Sequence, residues 1–199
     1  NELGIESAHF CGHSFGVQLL VRTYDMFPEI FKDLVFINGF VQNPLVGMFG
    51  NDLALGFFHF FKSGYSLLPE TLTRLWRMAV ENPLAIQLSA LAGGFNLKLT
   101  ALKDIEIYAR GVSTLDLQAF IRLFESMLNY DGRPVLERIN VPTLVIAGKN
   151  DTVTPVKHQE SLHQQIKNSS FLLVPFGSHC SQLDMPDLIN LKIDQFYSL

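Results

Sequence analysis

A serine flanked by two glycines near the start of the chain constrains the fold more than any other feature of the sequence. The segment Gly12-His13-Ser14-Phe15-Gly16 separates a short apolar run, Ile5 to Cys11, from a stretch with helical apolar spacing, Val17 to Tyr24. Glycines this close together predict a sharp turn, because glycine adopts backbone conformations and tolerates close contacts that larger residues do not. We therefore predict a strand, a tight turn and a helix in succession.

The predicted turn would place the serine hydroxyl at the end of the strand. We expect a strained backbone at Ser14, and we expect side chains at Gly12 or Gly16 to clash with the neighbouring strand and helix. The N–H of Phe15, at the start of the helix, is predicted to stabilise an oxyanion. An ordinary glycine-rich turn is the alternative, since glycine is common and a chance match to this pentapeptide is not rare. The strand before the turn and the helix after it favour the catalytic interpretation.

Three further apolar runs predict a parallel β-sheet. They are Leu34 to Gly39, Val141 to Gly148, and Phe171 to Val174. Continuous apolar strands separated by helices are typical of parallel sheets that helices cover on both faces. The predicted fold class is therefore α/β. The end of the second run, Asn38-Gly39-Phe40, offers no carboxylate.

Residues 41–137 have no strand pattern and are predicted to be helical. Individual helices are expected over residues 69–81, 85–91, 101–109 and 115–128. The apolar run 53–61 is predicted to be a buried helix, with contact to a membrane surface as the alternative. An insertion of this length between two strands predicts a separate lobe, which we call the cap. The predicted division is core 1–40, cap 41–137 and core 138–199.

Asp151 is the predicted acid of the site, because it closely follows the third predicted strand. The carboxyl ends of parallel strands are where α/β sheets build their sites. The alternative is that Asp151 caps a helix that begins near Pro155. Asp104 and Asp131 are the competing carboxylates, but both lie in the predicted cap.

His179 is the predicted base. It lies in the segment Gly177-Ser178-His179-Cys180 after the last predicted strand, from which it could take the proton of Ser14. An exposed loop histidine is the alternative. Asp151 would accept the ring N–H of His179 and hold the ring in one tautomer. The 28 residues between Asp151 and His179 leave room for one helix and one strand, and the order Ser, Asp, His supports the three assignments together.

Composition argues against several other classes of function. The chain has 199 residues, with 15 Lys and Arg against 19 Asp and Glu, and a formal net charge of −4. No basic block alternates with aromatic residues, so no nucleic-acid partner is expected. No His or Cys pattern has metal-ligand spacing, and neither a metal nor a cofactor is predicted. The longest apolar run is far shorter than the ~20 residues of a membrane span, so no transmembrane segment is expected.

The sequence leaves the redox state, the compartment and the oligomeric state open. Cys11 and Cys180 are predicted to be reduced, buried thiols, with a disulfide between them as the alternative. No targeting segment identifies a compartment, and the cytoplasm is the default.

These motifs resemble the α/β-hydrolase fold family, in particular its members with a large helical cap. The resemblance covers the core on both sides of the cap, and its matching segments are Gly12 to Gly16, Pro142 to Gly148 with Asp151 and Pro155, Gly177 to His179, and the Met185-Pro186 step. It implies an α/β-hydrolase fold, a parallel sheet with flanking helices and an inserted all-helical cap. It also implies a serine hydrolase with Ser14 as nucleophile, Asp151 as acid and His179 as base.

Two departures from the family pattern affect these expectations. Val17 stands where many relatives have a further glycine, so helix packing is expected to differ there. The family core also has several strands before the nucleophile, and one of their loops supplies a second oxyanion-hole donor. None of these precedes Ser14, so we expect the chain to be the C-terminal portion of a longer hydrolase. Because one such donor is worth about 10²–10³-fold in rate, the chain alone is expected to be weakly active or inactive.

The resemblance implies hydrolysis of an ester or thioester of a small to medium apolar substrate through an acyl-enzyme. Aromatic and large apolar side chains of the cap are expected to fill its own core and to line an apolar pocket above the serine. They are Phe49, Phe57, Phe58, Phe60, Phe61, Trp76, Met78, Phe95, Phe120 and Phe124. The alternatives are C–C bond hydrolysis, lyase or cofactor-free peroxidase chemistry on the same residues, or a catalytically silent ligand-binding protein.

Overall fold

A parallel sheet lies at the centre of the structure. The computed structural model of the protein describes residues 4–45, 53–80, 82, 84 and 94–198. The sheet has four parallel strands in the order β1-β2-β3-β4. These strands are β1 (Ala8–His13), β2 (Phe31–Ile37), β3 (Thr143–Gly148) and β4 (Ser169–Val174). The predicted α/β class with a parallel sheet is confirmed.

Strand pairing, rather than apolarity alone, decides where the strands begin and end. β1 starts at Ala8, because Ala8 pairs with Phe31 and His13 pairs with Ile37. β2 extends further towards its N-terminus than predicted and includes two polar residues. Lys32 points to solvent, whereas buried Asp33 hydrogen-bonds the ring of His9 on the neighbouring strand. An apolar run therefore marks the middle of each strand and not its limits.

Helices flank the sheet, and helices are the regular elements in the described residues of the insertion between β2 and β3. They are α1 (Phe15–Met26), α2 (Leu53–Leu67), α3 (Pro69–Val80), α4 (Leu102–Ser113), α5 (Leu117–Asn129), α6 (Arg133–Leu136), α7 (Lys157–Gln165), α8 (Ser181–Asp184) and α9 (Pro186–Tyr197), with a 3₁₀ turn at Pro28–Ile30. α3, α4 and α5 correspond to three of the predicted helices, and the predicted helix over 85–91 lies outside the described residues. In the described part of the chain, no helix has both the length and the apolar character needed to cross a bilayer.

Apolar side chains cover both faces of β2 and β3, as a parallel sheet requires. On one face, Leu34 and Phe36 pack in a cluster with the apolar sides of α1, α6 and α7. On the other face, Val35 and Ile37 pack in a cluster that includes Ile189 of α9. These four side chains are each at most 4% exposed. Each side chain buried in this way contributes about 1.5–3 kcal/mol to the free energy of unfolding.

The insertion has a small core of its own. The ring of Phe58 on α2 lies 5.0 Å from that of Phe124 on α5, and Trp76 on α3 lies 5.1 Å from Phe120. The predicted burial of the run 53–61 is wrong for most of its residues, because Phe58 is the buried member of α2 and Leu53, Phe57 and Phe60 are exposed. Apolar side chains of the run lie on more than one side of the helix, and only one stripe of a helix can face α5. The division into core and cap stays a prediction.

Val17 is accommodated by a glycine at the end of β2. The Val17 side chain is fully buried in the cluster beneath α1. A Cβ added to Gly39 would lie 2.2 Å from a Val17 methyl carbon and 2.5 Å from its Cβ. The volume of the valine is therefore available only because residue 39 has no side chain.

Gly39→Ala should destabilise the protein, because neither the strand end nor α1 can move without losing packing. We expect the free energy of unfolding to fall by about 1–3 kcal/mol, measured by urea denaturation. Gly111→Ala is the matched control, since an added Cβ there meets no atom within 4 Å and glycine disfavours a helix interior. A stability change in Gly39→Ala no larger than in the control would contradict this account. Val17→Gly in the same chain should recover part of the loss.

Candidate active site

Ser14 lies on a strained turn between β1 and α1. Its φ of 55° and ψ of −121° lie in a region that residues other than glycine rarely adopt. Its N–H donates to the Ile37 carbonyl at 3.0 Å, which holds the turn against the end of β2. Ser14 as a whole is only partly buried. This is the strained backbone that the pentapeptide predicts.

The two glycines of the pentapeptide have different roles. A Cβ on Gly12 would lie 2.8 Å from Leu20 and 2.9 Å from the carbonyl group of Gly16. The predicted clash is wrong for Gly16, where an added Cβ meets no atom within 4 Å. The carbonyl group of Gly16, and not its Cα, faces the strand. The steric requirement at the turn therefore falls on Gly12.

The structure brings Ser14, His179 and Asp151 together in one chain of hydrogen bonds. Nε2 of His179 lies 2.9 Å from Oγ of Ser14, and Nδ1 lies 3.0 Å from Oδ2 of Asp151. His179 is 8% exposed and Asp151 is 4% exposed. The ring thus has its Nδ1–H bound by a carboxylate and its Nε2 directed at a hydroxyl, which is the arrangement a general base needs.

Asp151 divides its two oxygens between a turn and the histidine. Its Oδ1 accepts the N–H groups of Val153 and Thr154 at 2.9 and 2.8 Å. These bonds close a turn before α7 and coexist with the contact to His179. The helix cap considered as the alternative is wrong, because α7 begins at Lys157 and its N-cap residue is Val156. Burial by itself raises the pKa of Asp151, but hydrogen bonds from His179, Asn38 and Thr154 outweigh burial, and the pKa lies below its usual value. Asp151 is therefore a carboxylate at neutral pH.

Asn38 is the residue at this site that sequence reasoning missed. Its amide donates to Oδ2 of Asp151 at 2.8 Å and to the Ser178 carbonyl at 3.0 Å, and its Oδ1 accepts the Ser181 hydroxyl. It is fully buried and has a φ of 48°, a conformation that asparagine tolerates better than most residues. From the sequence we noted only that this strand end has no carboxylate. The position itself, after the strand next to the serine, is the signal that would have found Asn38.

His13 supports the site from the side of the turn. Its Nε2–H donates to the main-chain carbonyl of His179 at 2.8 Å, and the two rings lie 5.0 Å apart. Burial, together with the nearby His179, lowers the pKa of His13 to about 4. His13 is therefore neutral at physiological pH. Its hydrogen bond joins the turn at Ser14 to residues 175–180, the segment that carries His179 and that we call the histidine loop.

Phe15 is the first residue of α1. The first N–H groups of a helix have no acceptor within the helix, so the N–H of Phe15 is available to an oxyanion. Its role stays a prediction. Both cysteines are free, and Cys180 is buried as predicted. The predicted burial of Cys11 is wrong, because alternate side chains of β1, an edge strand of the described sheet, point to solvent.

The cap side chains named from the sequence differ in where they lie. Phe58, Phe61, Trp76, Phe120 and Phe124 pack against one another in the core of the insertion. Phe57, Phe60 and Met78 are exposed, and Phe49 lies outside the described residues. Phe95 is buried and packs with Cys180, the residue after His179. Phe95 therefore contacts the loop that carries His179.

A cavity of about 560 Å³ lies between the end of α5 and α7. Its lining includes Tyr130, Arg133, Lys157 and His158. Ser14, His179 and Asp151 do not line it. In the ranges 4–45, 53–80 and 94–198, no group of three His, Cys, Asp or Glu side chains is arranged to hold a metal.

The fold is that of an α/β hydrolase. The family model described as "alpha/beta hydrolase fold" matches residues 1–186. The chain belongs to the α/β-hydrolase fold family.

Named relatives include several hydrolases. A protein of Azorhizobium caulinodans named as a carbamate hydrolase, RutD, is 25% identical over 187 residues, which cover 94% of this chain and 64% of that protein. A pimeloyl-acyl-carrier-protein methyl ester esterase of Nitrosomonas europaea is 24% identical over 180 residues, covering 89% of this chain and 66% of that protein. The crystal structure of a bromoperoxidase from Bacillus anthracis has a TM-score of 0.74 at 18% identity and covers 100% of this chain and 70% of that one. The chain thus spans about two thirds of the length of these relatives.

Lowering the pH should destabilise the protein partly through His13. In the unfolded chain His13 takes up a proton near its ordinary pKa of 6.5, whereas the folded protein resists protonation until about pH 4. The unfolded state binds more protons in this range, so the free energy of unfolding falls as the pH drops from 6.5 to about 4.

The matched variant is His13→Gln, which keeps an N–H donor and cannot be protonated. Urea denaturation at pH 7 and pH 5 should show a smaller acid-dependent loss of stability in the variant than in the wild type. An equal loss in both proteins would show that His13 does not take up its proton differently on folding.

Proposed function

We propose that this protein is a serine hydrolase that cleaves a carboxylic ester or thioester through an acyl-enzyme. The observation that carries the proposal is the continuous hydrogen-bonded chain from Ser14 Oγ through the His179 ring to Asp151. The partly buried serine, on a strained turn at the end of a strand, supports a nucleophile that substrate can reach. Two of the named relatives described above are hydrolases by name, which supports the reaction class.

In the first half of the proposed reaction, His179 takes the proton of Ser14 as the hydroxyl oxygen attacks the substrate carbonyl. Asp151, ionised and bound to Nδ1–H, stabilises the imidazolium that forms. The N–H of Phe15 donates to the oxyanion of the tetrahedral intermediate. His179 then gives its proton to the leaving alcohol or thiol, and the acyl group remains on Ser14.

In the second half, the same groups act on water. His179 Nε2 takes a proton from a water molecule, whose oxygen attacks the acyl-enzyme carbonyl. Collapse of the second intermediate returns the proton to Ser14 Oγ and releases the acid. No redox step occurs, and every proton that His179 accepts is returned within the cycle.

The proposed substrate is a small to medium apolar ester. Phe95 carries this part of the proposal, because it is buried beside Cys180 and so reaches the histidine loop from the insertion. The other buried aromatic side chains of the insertion pack on one another. An acyl or alcohol group that contacts Phe95 would gain from the burial of apolar surface.

Ser14→Ala should abolish covalent labelling by a fluorophosphonate probe, because the probe reacts with an activated serine oxygen. The full-length wild-type protein is expected to be labelled and to hydrolyse p-nitrophenyl esters, and the variant is expected to lose both properties. Ser63→Ala, at an exposed serine of α2, is the control and should behave as the wild type. Ester hydrolysis that survives in Ser14→Ala would refute the proposed nucleophile, and a wild type that is never labelled would favour a silent ligand-binding protein.

Substrate preference should depend on Phe95. Among p-nitrophenyl acetate, butyrate and octanoate, we expect the full-length protein to prefer a longer acyl group to acetate in kcat/KM. Phe95→Ala should reduce this preference more than Phe57→Ala, a control at an exposed ring of the insertion. Highest activity on acetate, with no effect of Phe95→Ala on the ratio, would contradict the apolar pocket.

A further inference from the structure

A buried carboxylate other than that of Asp151 lies where the insertion meets the loop that carries His179. Asp184, in the short helix α8, is 4% exposed. Its Oδ2 accepts the main-chain N–H and the hydroxyl of Ser178, both at 2.6 Å. Its Oδ1 accepts the main-chain N–H of Asn96 at 2.9 Å and the hydroxyl of Thr100 at 2.5 Å. Four donors therefore surround one carboxylate.

The charge of Asp184 is balanced by hydrogen bonds. Within the described residues no Lys, Arg or His side chain forms an ion pair with it. A buried carboxylate without such a partner is costly unless donors replace its lost water, and hydrogen bonds to a charged acceptor are stronger than neutral ones. The donors belong to two segments that are distant in the chain, the loop at Ser178 and the insertion at residues 96–100. Asp184 therefore holds these segments together.

Further contacts between the same two segments lie on both sides of His179. The N–H of Cys180 donates to the Gly94 carbonyl at 3.1 Å, and the Asn96 amide donates to the Phe176 carbonyl at 2.9 Å. The Cys180 side chain also packs in a small apolar cluster with Phe95. The residues before and after His179 are thus both bound to this stretch of the insertion.

We propose that Asp184 is a positioning residue for His179 and that it couples the docking of residues 94–100 to the position of the base. This inference rests on the function proposed above. Asp184 does not contact Ser14 or Asp151. It acts through the main chain of Ser178, which precedes His179 and so sets the position of the Cα atom from which the His179 ring extends. Any rearrangement of residues 94–100 on substrate binding is transmitted to the ring through the same carboxylate.

Asp184→Asn should lower kcat while leaving the fold intact. The amide has the shape of the carboxylate, but its NH₂ group must face a main-chain N–H of Ser178 or Asn96, which cannot become an acceptor. We expect kcat per titrated active site to fall about tenfold to a hundredfold, with a smaller change in KM, because a small displacement of the base is enough for such a loss.

The proton NMR signal of His179 Nδ1–H, which is bound to Asp151, supplies a readout independent of turnover. Its far-downfield resonance is expected to shift or broaden in Asp184→Asn. Asp187→Asn, at an exposed carboxylate of α9, is the control and should change neither kcat nor the resonance. A purely structural role predicts a lower thermal midpoint with unchanged kcat per titrated site and an unchanged resonance, and that result would overturn the proposal.

Two further outcomes keep the test decisive. If Asp184→Asn does not fold, Ser178→Ala removes one donor to the carboxylate and leaves the main chain, and a smaller loss of kcat with a shifted resonance is expected. An unchanged resonance and kcat in Ser178→Ala would then count against the proposal. A wild type without ester turnover would contradict the proposed function, whereas the resonance in Asp184→Asn would still decide whether this carboxylate positions His179.

Discussion

The parallel register of β1, β2 and β3 is the constraint on which the site depends. His13 pairs with Ile37, and Ile37 pairs with Ile146, so the three strands end at one edge of the sheet. The pairing continues beyond the strands, because the N–H of Ser14 bonds the Ile37 carbonyl and the N–H of Asn38 bonds the Ile146 carbonyl. A change of register by one residue would reverse the direction of these side chains and separate the serine from the carboxylate.

Close backbone approach at that edge explains where glycine is required. A Cβ on Gly148 would lie 2.3 Å from the Ser178 carbonyl and 2.9 Å from the Asn38 amide. The histidine loop therefore touches the end of β3 directly, and Asn38 bonds the same carbonyl from the other side. Gly12 makes the equivalent approach possible beneath Ser14. Small residues at the strand ends let buried polar groups satisfy one another without water.

The histidine loop depends on the insertion as well as on the sheet. Asn38 and the His13 ring bind the main chain of the loop from the core, and Asp184 joins it to residues 96–100 of the insertion. The predicted division of the chain treats the core and the cap as separate units. The hydrogen bonds indicate that the two share one loop, and this is the loop that carries the proposed base.

The order and strand-end positions of Ser14, Asp151 and His179 were enough to predict that they meet, because parallel strands place their carboxyl ends at one edge whatever the details of packing. The α/β class could also be predicted, because continuous apolar runs separated by helices are typical of a parallel sheet that is covered on both faces. The position of Asn38 after β2 could be read from the sequence, but its partners and those of Asp184 could not, since a polar side chain has a partner only once distant segments are in contact. The exposure of Phe57 and Phe60 was also hidden, because an apolar run shows that a helix has surface to bury but not which side another helix covers. Local sequence pattern therefore determined where the strands lie in the chain and which serine, aspartate and histidine meet. Only the tertiary contacts decided which polar groups hold these three side chains in place.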